Sequence, residues 1–161
     1  RHSLPIAAVG ALALLIIAFR SLRYALVTIV PIGLVVVWLY AIMEVAGFAL
    51  NFVSATIGAV SVGVGIDYSI HMTERFREEI ARSSTRLDAL RRATGGTGVA
   101  LLASAGSSVV GFTIMGFAPM PMFSTYGILT ALMISLALIA ALAVLPSLLM
   151  LVTPEHGQES E

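Results

Sequence analysis

Long apolar runs broken by short polar hairpins dominate the chain. Residues 24 to 43 and 45 to 66 carry no charge, and neither do the 62 residues from Ala93 to Pro154. A hydrocarbon core of ~30 Å takes about 20 helical residues to cross, so the first two runs each supply one span and the last supplies two. Ser3 to Phe19 supplies a shorter one. The pattern predicts an all-α polytopic membrane bundle of five helices, at about 4–19, 24–46, 52–73, 97–117 and 123–152. Each break has a physical cause. Arg20-Ser21-Leu22-Arg23 is a polar hairpin that makes its flanking helices antiparallel neighbours. Gly47 to Asn51 is a glycine-containing turn, and Ala118 to Met122 holds two prolines that cannot continue a helix.

The longest polar insert runs from Thr73 to Arg92. Glu78 and Arg82 stand four apart in the favourable order, which predicts a solvated extension of the 52–73 helix. Thr85 and Asp88 resemble a capping box. They would open a short helix lying flat on the membrane surface, its Leu87, Leu90 and Ala93 opposing Arg86, Arg91 and Arg92.

Composition supports the membrane reading: 58% of residues are hydrophobic and 11% charged, and the mean hydropathy is +0.99. Net charge is zero, but its placement is not even. All nine basic residues are arginine, and eight lie in two loops: Arg20 and Arg23 in one, and Arg75, Arg77, Arg82, Arg86, Arg91 and Arg92 in the other. Basic loops face the cytoplasm. The expected domain is therefore residues 1–153 with its N-terminus outside, a cytoplasmic Arg-rich segment at 74–94, and a polar cytoplasmic tail at 154–161. The site of residence is a cell membrane, most simply a prokaryotic plasma membrane, with membrane lipids as partners. The Arg1 start, with no signal-peptide pattern, reads as a piece of a longer protein. No cysteine is present, and no phosphate-cradling loop or HExxH motif occurs. The expectation is no cofactor, no metal, no nucleic-acid partner and no enzymatic activity.

Asp67 is the residue that changes the picture. Counted from Phe52 at ~1.5 Å per residue it lies roughly 22 Å into the slab, with no basic residue inside a hydrophobic span to pair with it. Intramembrane acids are costly and usually handle ions or protons. Burial penalises the charged carboxylate, hydrogen bonds stabilise it, and a group held between those terms can exchange a proton. The alternative is a permanently neutral Asp bonded to a neighbouring helix. Tyr68, about 100° around the helix, is a gating or donor group or an ordinary interfacial Tyr. His71 extends a proton path toward water or sits as a plain amphipathic residue. Glu74 reads as part of a solvated face. A small-residue stripe, Ser54, Gly58, Ser61 and Gly65, would let another helix approach and seal the carboxylate, with Gly63 one turn from Asp67. Gly106, Ser107, Ser108 and Gly111 offer two hydroxyls and two close-approach glycines, either as a wall of the same pocket or as generic helix packing through small residues.

Three segments, GVGIDYSIHMTERFREE at 63–79, FRSLRYALVTIVPIGL at 19–34 and DALRRATGGTGVALLASAGSSVVGF at 88–112, together resemble the membrane portion of the resistance-nodulation-division (RND) superfamily. The closest flavour is its MMPL and hydrophobe/amphiphile exporter branch. The resemblance implies that these helices match the second to sixth of one six-helix half. Asp67 and Tyr68 then correspond to the proton-relay pair, and Ser107 or Ser108 to hydroxyls on the next helix. It implies a proton-motive-force-driven exporter of lipids or other amphiphiles. The remaining partners would be the other half, an extracytoplasmic domain and further copies in a homo-oligomer. A sterol-sensing-type sensor or scaffold, or a protein-export accessory subunit, resembles the same membrane fold and stands as the alternative.

Overall fold

The computed structural model describes residues 9, 10, 13, 15–17, 19, 21–48, 52–83 and 85–153, with the side chains of Val53 and Ser61 left out. The described residues form helices and turns with no strand. The helices are α1 (Leu22–Val45), α2 (Phe52–Ile80), α3 (Arg86–Ala93), α4 (Val99–Gly116), α5 (Pro121–Ile139) and α6 (Leu145–Val152). Two π-helical turns, Thr94–Gly98 and Ala140–Val144, join α3 to α4 and α5 to α6. These joins make continuous helical rods of 31 residues from Arg86 to Gly116 and 32 from Pro121 to Val152. Those two rods and α1 are long and apolar enough to cross a membrane. The 4–19 helix lies largely outside the described residues. Its described positions are helical, and Leu15 and Phe19 pack with Ala25 of α1.

Local chemistry ends the elements where the sequence breaks. α1 closes on Gly47, whose φ of 72° suits a residue without a β-carbon. The Gly47 and Phe48 amides donate back to the Glu44 and Met43 carbonyls at 3.2 and 2.9 Å. Pro121 starts α5 at the position where its missing N–H costs nothing. Ser124 donates to the Gly116 carbonyl at 2.5 Å, tying the α4–α5 hairpin shut.

One core lies between α1, α2, α4 and α5, around Leu39, Ile57, Tyr68, Leu129 and Met133. A second lies beneath α3, where Ala89 and Ala93 meet Met72, Phe76, Leu145 and Leu149. Thr28 of α1 and Thr73 of α2, both fully buried, are joined at 3.0 Å. Since the Thr28 hydroxyl donates to the Tyr24 carbonyl at 2.7 Å, Thr73 supplies the bridging proton. This is the kind of polar contact that holds helices together in an apolar setting.

The helix at 52–73 does extend past residue 73, to Ile80, but its ion pairing and the separate surface helix are corrected. Helix α2 ends at Ile80, so Arg82 falls in a turn. Glu78 pairs instead with Arg75, at 3.1 Å, and Arg75 also reaches Glu79 at 2.7 Å. The cap forms as read, with Thr85 Oγ1 accepting from the Asp88 amide at 3.2 Å and donating to its carboxylate at 2.8 Å. Helix α3, however, is no separate surface helix. Nothing in Thr94–Gly98 breaks the chain's helical path, so α3 runs on into α4. It buries Ala89 and Ala93, packs Leu90 against the same core and leaves Leu87 exposed on its other face.

Candidate functional site

Helices α2 and α4 leave between them a cavity of about 670 Å³. From α2 it is lined by Val64, Asp67, Tyr68, His71, Glu74, Arg75 and Glu78, and from the rod opposite by Thr97, Ala100, Leu101 and Ser104. The α2 residues meet there because spacings of four and seven return to one helix face. Thus Asp67, His71, Glu74 and Glu78 form a stripe along the cavity. Tyr68 stands at its edge and points into the core, where it is 8% exposed against Leu101 and Ala105. Asp67, one residue earlier, is exposed on the cavity side.

Arg75 is the cation of the cavity, and its charge is already taken up by Glu78 and Glu79. Glu79 is nearly buried and locks the guanidinium onto the helix. Among the described residues no hydrogen bond or ion pair reaches the Asp67 carboxylate, the His71 imidazole or the Glu74 carboxylate. All three side chains are exposed and line the cavity. The described residues contain no cluster of three or more metal-ligating side chains.

The structure thus brings Asp67, Tyr68 and His71 into one cavity with Glu74. Ser107 and Ser108 do not line it; the hydroxyls opposite α2 that do are Ser104, about one turn earlier, and Thr97, within the π turn itself. The small-residue stripe of α2 packs on α1 rather than over Asp67. A β-carbon at Gly58 would collide with Tyr40 Oη, one at Gly65 would touch Ile32 at 3.7 Å, and Ser54 is buried. The Ser61 side chain lies outside the described residues. Gly63, Gly106 and Gly111 face open space. The glycines that seat α4 against α5 are Gly116 and Gly127, and neither stands out in the sequence among so many small residues.

The model of the MMPL family matches residues 2–159. A protein of Methanocaldococcus jannaschii, named as membrane protein MJ1562, is 34% identical over 143 residues, which cover 89% of this chain and 37% of the relative. Mycobacterium tuberculosis MmpL12, named as a transport protein, is 30% identical over 148 residues, covering 89% of this chain and 13% of the relative. Bacillus subtilis YdgH, named as a membrane protein, is 30% identical over 117 residues, covering 70% and 13%. The chain therefore spans from about an eighth to somewhat over a third of these relatives' length.

Proposed function

The chain belongs to the MMPL family of the RND superfamily and is a membrane protein, and on that premise we propose that it forms the proton-coupled membrane part of an exporter of lipids or other amphiphilic molecules. Asp67 is the group that takes up and releases the proton, with Tyr68 as its companion and His71 in support. The observation that carries this reading is the α2–α4 cavity, where an acid without an ion pair shares one space with Tyr68, His71 and two hydroxyls. An acid within a membrane-spanning helix is usually retained for function rather than stability.

In this reading the helices cross a cell membrane five times, with both arginine loops and the C-terminus in the cytoplasm. The other half, an outer domain and a possible second copy are the partners that turn proton movement into cargo movement. Moving one charge through 100 mV supplies about 2.3 kcal/mol. That energy does work only where the protonated and ionised forms favour different helix packings.

The test is Asp67→Asn in the full-length protein. The variant is expected to fold and insert normally and to lose export driven by a proton gradient. Difference infrared spectroscopy in lipid gives the direct readout, as a carboxyl band that responds to pH and vanishes in Asp67→Asn. Full export by the variant, or a band that stays protonated throughout, would sink the relay and favour a sensor or scaffold instead.

A further inference from the structure

The cavity reaches well past Asp67, and its far end holds acids of two different kinds. On α2, His71, Glu74 and Glu78 follow Asp67 at roughly 6, 10 and 16 Å along the helix axis, at ~1.5 Å per residue. All of them line one continuous space. Glu78 is held by Arg75 at 3.1 Å. That ion pair commits the Glu78 carboxylate to the guanidinium. Glu74 has no ion pair among the described residues, because Arg75 is turned to Glu78 and Glu79.

We infer that Glu74, working through His71, is the group by which protons pass between Asp67 and the water at the α2 C-terminal end of the cavity, a role that rests on the relay reading of Asp67. Arg75 is the positioning residue: its double hold on Glu78 and Glu79 keeps the cation from capturing Glu74. Among the described residues, every titratable or charged group lining this path comes from α2, namely Asp67, Tyr68, His71, Glu74, Arg75 and Glu78. The opposite wall contributes only Thr97, Ala100, Leu101 and Ser104, so no charge from that side competes for the proton. The two hydroxyls can order the water that fills the gaps, each gap being about one helical turn. Of the two acids of the stripe without an ion pair among the described residues, Asp67 and Glu74, Glu74 is the one nearer the C-terminal end of α2.

The test uses the full-length protein in liposomes of defined lipid, with the Asp67 carboxyl band followed in time after a rapid pH jump. Glu74→Gln and His71→Ala are each expected to slow the band's response by roughly 100-fold, the low end of what a positioned proton carrier contributes, with the same final amplitude. Added formate should restore the rate of Glu74→Gln and added imidazole that of His71→Ala. Glu44→Gln, whose side chain does not line the cavity, should leave the rate unchanged. An unaltered rate in Glu74→Gln, or a slow rate that formate does not restore, would overturn the route while Asp67 still titrates. Loss of any pH-dependent band assigned to Asp67 would instead remove the relay reading, and the route with it.

Discussion

At Gly127 two helix backbones meet with no room for a methyl group. A β-carbon there would stand 2.6 Å from both the Phe112 carbonyl oxygen and the Gly116 nitrogen, and backbone atoms cannot rotate aside as a side chain could. Gly127→Ala gains about 1 kcal/mol of helix propensity, but overpacking of this kind costs about 1–3 kcal/mol. With backbone on both sides the upper end applies, and a net loss of about 2 kcal/mol is expected in detergent unfolding. Gly106→Ala meets open space in this structure and should be neutral or slightly stabilising in the same assay. The contrast shows what could be read from the residues alone. Asp67 is conspicuous as a charge in an apolar run, and His71 and Glu74 follow from helical period. Which glycine or serine meets a neighbour depends on how two helices are rotated and shifted against each other, and no single-helix pattern contains that.

Between the elements, α3 acts as a clasp on the end of α6. Arg86 reaches across 64 residues of chain to donate to the carbonyls of Met150 and Thr153 at 3.0 and 2.6 Å. Those are last-turn carbonyls that have no partner within their own helix, and the cation also suits the negative end of the helix dipole. Arg86→Ala is therefore expected to cost about 1.5–3 kcal/mol, the range for hydrogen bonds to charged groups. The loss should appear as faster hydrogen exchange at the amides of residues 145–153, with little change in α1. The sequence marks Arg86 only as one of many basic residues in an Arg-rich loop. Its role as a cap depends on α3 continuing through the π turn into α4, which positions the clasp. The two π turns also lie against each other, since a β-carbon on Gly98 would sit 3.4 Å from Leu142, and π turns interrupt helices most often at functional sites.

For the molecule as a whole, the uneven placement of arginine gives a topology that can be tested directly, because the chain contains no cysteine to interfere. Single cysteines at Ser21 and Ser83 are expected to be labelled only by reagents that reach the cytoplasmic side, and one at Ala118 only from outside. Labelling of Ser21→Cys and Ala118→Cys from the same side would rule out the five-span arrangement. What the sequence by itself determined is the class of protein, the hairpins and the acidic stripe, because hydrophobic run length, proline and glycine placement and helical period are properties of neighbouring residues. The tertiary structure alone decided that α2 and the rod opposite it leave an open cavity between them at the level of Thr97 and Ser104, and that the small-residue stripe of α2 serves α1. It also decided that Arg75 is committed to Glu78 and Glu79. These outcomes follow from the rotation and depth of packed helices, which are set by side-chain fit between segments far apart in the chain.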